Sequence, residues 1–99
     1  MALLHIALQE GFSDDDVVVR VDGQEVYHKK NVTTRLQIGY ADSFELEIKE
    51  GAARVEVELA TRGLSEAFPV DVTGTTYVGL SVEQGAIRHR LSTQPFGYL

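Results

Sequence analysis

Three histidines, His5, His28 and His89, and the run Asp14-Asp15-Asp16 are the residues of this chain with the most capacity for chemistry. No two histidines stand at the H-x-x-x-H spacing of a metal-binding helix. Cysteine is absent, which removes disulfides, thiolate metal sites and thiol nucleophiles. There is no G-x-S-x-G elbow and no serine with a partner base in its sequence neighbourhood. The chain therefore reads as no enzyme. Asp14, Asp15 and Asp16, with Ser13 beside them, offer hard oxygen ligands in a loop, a chemistry suited to Ca²⁺. The sixth residue from Asp14 is Val19, where an EF-hand loop needs glycine. A solvated turn is the plainer reading of the same run, and no other cofactor is expected.

The C-terminal segment Gln94-Pro95-Phe96-Gly97-Tyr98-Leu99 places three large apolar side chains in a short polar stretch. Phe96, Tyr98 and Leu99 must either fold back over the domain or dock on another chain. They are the expected partner contacts, with Tyr77 second. Tyr27, Tyr40 and Tyr77 could together offer rings for sugar stacking, an alternative small-ligand function beside Ca²⁺.

The elements that would position these residues follow from a period of two. In Val17–Asp22 the odd residues Val17, Val19 and Val21 share a face. In Phe44–Lys49 every even residue is apolar and every odd one charged, and Arg54–Leu59 repeats the pattern with opposite parity. Further strands are expected over 2–9, 24–28, 33–38, 68–72, 76–83 and 86–91. Phe68, Val70 and Val72 should point inward, as should Thr76, Val78, Leu80 and Val82. His89 has the parity of Ile87 and Leu91, at the inner face or its edge. His5 shares a face with Leu3 and Ala7, and His28 sits beside Lys29 and Lys30 in a polar loop. Asp22-Gly23, Glu50-Gly51 and Gln84-Gly85 each read as a hairpin turn, because glycine accepts the positive φ that tight hairpins need.

If Glu50 and Gly51 form a two-residue loop, Glu47 faces Arg54 and Glu45 faces Glu56. A four-residue loop would set Glu47 against Glu56 and Glu45 against Glu58. Like charges directly opposite cost up to ~1 kcal/mol, so the first register is preferred. Either way Glu45, Glu47, Glu56 and Glu58, with Lys49 and Arg54, would lie on one outer face, open to a basic partner. The whole pattern predicts an all-β antiparallel sandwich of seven or eight strands, immunoglobulin-like or prealbumin-like, forming a single domain over residues 1–99.

With 9 Lys and Arg against 15 Asp and Glu, the formal net charge is −6. That disfavours nucleic acid and anionic membrane surfaces as partners. No run of about 18 apolar residues is present, so no membrane insertion is expected. The apolar start Ala2–Leu8 lacks a preceding basic residue and a small-residue cleavage site, so the default location is cytoplasmic. Asn31-Val32-Thr33 fits a glycosylation sequon and is assigned no role.

Val17 to Val82 resembles a PEGA-type domain, a small bacterial β-sandwich. The likeness lies in Val19-Arg20-Val21-Asp22-Gly23, in Lys49-Glu50-Gly51-Ala52 followed by Val55–Leu59, and in the strand Phe68–Val72 leading through Thr73-Gly74 to Tyr77–Val82. Lys49 stands where that family has proline, and its G-x-T-P segment is absent. The resemblance implies a non-catalytic structural or protein-binding module. With exposed sandwich edges and the prevalence of two-fold dimers, self-association as a homodimer is the expected form.

Overall fold

Alternating side chains are buried along most of the strands, and the alternation sorts the chain into two layers. The computed structural model describes residues 2–35, 37 and 39–96. Eight strands form: β1 (Ala2–Leu8), β2 (Asp15–Val21), β3 (Gln24–Val32), β4 (Asp42–Ile48), β5 (Gly51–Leu59), β6 (Leu64–Val72), β7 (Thr75–Glu83) and β8 (Ala86–Ser92). They build two four-stranded sheets, ordered β4-β1-β7-β8 (sheet A) and β3-β2-β5-β6 (sheet B). The fold is an all-β sandwich. Its order departs from the immunoglobulin arrangement, in which the first, second, fifth and fourth strands share a sheet. All pairings are antiparallel except β1 with β7, which is parallel.

The core lies between the sheets. Leu4, Ile6 and Leu8 of β1 and Val78 and Leu80 of β7 meet Val17, Val19, Val55, Val57, Leu59, Val70 and Val72 of sheet B, all fully buried. The inward residues expected for β2, β6 and β7 are those found. Thr76 is the costly member of its set. Its hydroxyl is buried with no hydrogen-bond partner, a penalty of ~1–3 kcal/mol.

Two of the expected hairpins form. Asp22-Gly23 joins β2 to β3 with Val21 opposite Gln24, and Gln84-Gly85 joins β7 to β8 with Glu83 opposite Ala86. Both central residues have positive φ in each turn, the geometry that matches strand twist.

Glu50-Gly51 does not close a hairpin. β4 pairs with β1 in sheet A, and β5 pairs with β2 and β6 in sheet B. Glu47 stands opposite Leu3 and Arg54 opposite Pro69, so neither expected register forms. Phe44, Leu46 and Ile48 therefore belong to the opposite layer from Val55, Val57 and Leu59. Glu45 and Glu47 lie on one outer surface of the sandwich and Glu56 and Glu58 on the other. The expected strand over 33–38 is also not formed by the described residues there. Arg35 bridges to Tyr40 instead, while Leu36 and Ile38 lie outside the described set.

The passage from β1 to β2 is held at two points. Gln9 donates its N–H to the Leu80 carbonyl (2.7 Å) and Glu10 accepts from Val82 N–H (2.8 Å), prolonging contact with β7. Gly11 then turns with φ +88°, and a Cβ there would sit 1.9 Å from the Val82 carbonyl oxygen. Asp15, 1% exposed, anchors the far end. Arg62 donates to both its carboxylate oxygens (2.9 Å each), joined by the Thr61 hydroxyl (3.1 Å) and the Ser13 N–H (2.8 Å). Burial opposes ionisation of Asp15, but the Arg62 fork and the other donors outweigh it and hold the pKa below the ordinary carboxylate value.

Each open side of the sandwich is closed by stacked rings reaching between the sheets. Tyr27 of β3 stacks on Phe44 of β4 (4.6 Å, 10° between planes), and Phe68 of β6 stacks on His89 of β8 (3.8 Å, 2°).

Two stability changes are expected. Thr76→Val removes the orphan hydroxyl at nearly constant shape and should stabilise by about 1 kcal/mol, raising the melting temperature by roughly 4–8 °C. Arg62→Ala strands a buried carboxylate and should cost about 3 kcal/mol in urea unfolding. Because the folded pKa of Asp15 is lowered, the wild-type advantage is present above the ordinary carboxylate pKa. It should shrink as the pH falls below about 5 and through the folded pKa.

Candidate functional site

The parallel register of β1 on β7 sets a row of residues across the outer face of sheet A. Glu45, His5, Tyr77 and Ser92 stand directly opposite one another on β4, β1, β7 and β8. His5 Nδ1 lies 3.6 Å from the Glu45 carboxylate, and its ring lies 5.3 Å from that of Tyr77. At the end of the row the chain reverses. Gln94 N–H donates to Ser92 Oγ (2.9 Å), and that hydroxyl donates to the Gln94 carbonyl (2.8 Å). This turn brings Phe96 back over the sheet. Its ring meets Tyr77 edge-on at 6.4 Å, and the Arg90 guanidinium sits 4.5 Å over its face. Both contacts lie in the range where ring quadrupoles attract. The result is a platform that grades from carboxylate through imidazole and phenol to phenyl and guanidinium.

Phe96 and Tyr77, two of the residues expected to contact a partner, are thus brought together. Phe96 folds back, and it remains only half-buried, as does Tyr77. Tyr98 and Leu99 lie outside the described residues. His5 was singled out from the sequence but not joined to Tyr77, and Arg90 was missed. Their outward parity was readable, but nothing local shows that β1 lies beside β7 and so carries His5 to Tyr77. One row along, Ala2, Leu3, Glu47, Gly74 and Thr75 line a shallow depression of about 380 Å³.

The three aspartates part company. Asp14 accepts from the Asn31 side chain, Asp15 is held by Arg62, and Asp16 pairs with His28 (2.7 Å). Period two turns Asp15 inward and Asp16 outward along β2, while Asp14 precedes the strand with φ +54° and is exposed. Among the described residues, no three His, Asp or Glu side chains converge as metal ligands. The three tyrosines do not share a face either. Tyr27 points inward, donating to Asp42 (2.8 Å), which Lys29 also reaches (3.3 Å), whereas Tyr77 points outward. Burial, with the Asp42 hydrogen bond and charge, pushes the Tyr27 phenol well above its usual range. That hydroxyl is a structural donor and no proton carrier near neutrality.

On β8, Ile87 is 5% exposed, His89 lies over Phe68, and Leu91 is 48% exposed, the exposed large apolar side chain among the described residues. Arg88 and Arg90 project from the other face of that strand, also exposed.

Tyr27→Phe should cost about 1 kcal/mol of stability. The Asp42 pKa, now lowered by the Tyr27, Ser43 and Lys29 donors against the opposing effect of burial, should rise when followed by carboxyl NMR titration.

No protein-family model matches this chain, and neither a curated protein nor a solved structure matches it, so its functional reading rests on the geometry of the sheet A platform and its edges.

Proposed function

We propose that this chain is a non-catalytic protein-interaction module that self-associates, using the outer face and edges of sheet A. The observation that carries the reading is the stack of Tyr77, Phe96 and Arg90. It is half-exposed, rich in the residue types that dominate binding energy at interfaces, and lies on a sheet face that no other element of the described chain covers. The likeness to PEGA-type modules points the same way. The histidines support a non-catalytic role, since each is engaged separately: His5 by Glu45 and Tyr77, His28 by Asp16, His89 by Phe68.

Removing residues 95–99 takes Phe96 off Tyr77 and Arg90. The expected outcome is weaker self-association by light scattering, a lower melting temperature, or both. Tyr77→Ala in the full chain should reproduce the loss of association. Scattering and melting that both changes leave untouched would remove the tail and platform from the interface.

A further inference from the structure

The hydrogen bonds of inner strands fix which backbone groups stand open on the edge strands beside them. On β7, the Leu80 carbonyl accepts from Gln9 N–H (2.7 Å) and Val82 N–H donates to the Glu10 carbonyl (2.8 Å), so both residues turn their backbone toward the β1 side. His89 and Ile87 stand opposite them on β8. Bonded and unbonded pairs alternate along an antiparallel ladder. Ile87, His89 and Leu91 therefore turn their N–H and C=O groups away from β7, to the open side. β6 is fixed likewise. Asp22 N–H donates to the Arg54 carbonyl and the Asp22 carboxylate accepts from Arg54 N–H (2.9 Å each). Arg54 thus faces the β2 side, and Pro69 opposite it faces the open side of β6. Proline offers no donor there, which blocks that edge at its middle.

The other edges differ in how they are guarded. β3 shifts register twice against β2 and carries Lys29 and Lys30, two devices that discourage strand addition. β4 is regular but bears Glu45 and Glu47 on its outer face. β8 pairs with β7 in unbroken register and contains neither proline nor carboxylate. Its outer face carries Arg88 and Arg90, and its inner face ends in Leu91, 48% exposed.

We propose that the β8 edge takes an extended acidic segment of another protein as an added antiparallel strand of sheet A. This goes beyond self-association and does not depend on it. A strand laid beside β8 bonds through its backbone to Ile87, His89 and Leu91, and its side chains alternate between the two faces. The positions level with Arg88 and Arg90 are two apart and point outward, where carboxylates are favoured across the strand pair. The positions level with Ile87, His89 and Leu91 point inward and suit apolar side chains, one of which covers Leu91. The recognised chemistry is therefore apolar, acidic, apolar, acidic, apolar. β4 of a second copy has that alternation from Phe44 to Ile48, but it comes fixed in a sandwich. With Glu45 and Glu47 on the face of Arg88 and Arg90, the second layers of both copies lie level. The register-shifted β3 must then meet β6 at Pro69, where neither edge extends a ladder. A single segment meets β8 alone.

The test titrates the full-length chain into a labelled, acetylated and amidated peptide of alternating valine and glutamate, followed by fluorescence anisotropy. Binding should saturate and weaken with salt. A peptide with lysine in place of glutamate should bind at least about tenfold more weakly. N-methylation of the valines, whose N–H groups face β8 in the antiparallel pairing, should cost at least about tenfold, and N-methylation of the glutamates less than about threefold. These arms use the wild-type chain, so no folding defect can mimic them. Arg88→Glu/Arg90→Glu, with folding checked by circular dichroism, should reverse the preference between the acidic and basic peptides. Should it fail to fold, Arg88→Glu serves alone, since Arg88 is exposed and makes no ion pair among the described residues. Under hydrogen exchange, the amides of Ile87, His89 and Leu91 should gain protection when the peptide is bound. Equal binding by the parent and both methylated peptides would mean attraction of charge without strand pairing, and overturns the proposal. So does the absence of binding at millimolar peptide. If those three amides instead gain protection only as the chain itself is concentrated, a second copy occupies the edge: the acidic segment is wrong and self-association stands.

Discussion

Parallel pairing of β1 with β7 is the constraint from which most of the molecule follows. It places a strand from the start of the chain at the centre of sheet A, beside one that follows some 70 residues later. Parallel neighbours cannot be joined by a tight turn, so the chain must leave sheet A after Leu8 and return. It returns twice, once as β4 on the outer side of β1 and again as β7 on the inner side. The links 9–14, 33–41, 49–50 and 73–74 all cross between the layers, whereas 22–23, 60–63 and 84–85 stay within one. The crossing at 9–14 is the most tightly specified. Gly11 passes against the Val82 carbonyl where no Cβ fits, and Asp15 is fastened by Arg62.

That constraint also marks the limit of what the sequence discloses. Alternation in Phe44–Ile48 and Val55–Leu59 states which side chains are buried, and those are the ones the sandwich buries or half-buries. It does not state which strand lies alongside. Two amphipathic strands joined by Glu50-Gly51 look the same whether they pair edge to edge or face each other across a core. Asp22-Gly23 and Gln84-Gly85 are hairpins because their flanking strands also share a sheet, a fact of the whole topology. Asp14-Asp15-Asp16 shows the reverse case. The burial of Asp15 was readable in the sequence, since it has the parity of Val17, which sets it apart from Asp14 and Asp16. Its counter-ion, Arg62, is set by the β5–β6 hairpin and could not be read locally.

The polar interior shows where this fold bears cost. Asp15 is nearly inaccessible yet ionised, because a bidentate guanidinium, a hydroxyl and a backbone N–H together replace its hydration. Thr76 has no such replacement and is a standing penalty. The stacked pairs Tyr27–Phe44 and Phe68–His89 seal the two open sides with rings, where a sandwich of this size has too few strands to wrap its own edges. Ring closure between layers leaves the strand edges themselves unpaired, so the backbone of β4 and β8 remains open to another chain.

The two outer faces of the sandwich are not equivalent. On sheet B, Arg20 pairs with Glu58 at 3.1 Å, and the His28 ring hydrogen-bonds to Asp16 at 2.7 Å, so polar groups find partners within the face. On sheet A the rings of His5, Tyr77 and Phe96 occupy the middle, and carboxylates and guanidiniums are kept apart at the two margins, β4 and β8. Separation of charge across one sheet is costly to arrange by local pairing and is not needed for solubility at a net charge of −6. The row of rings at the centre of sheet A thus holds the two margins apart, whereas on sheet B Arg20 and Glu58 meet directly.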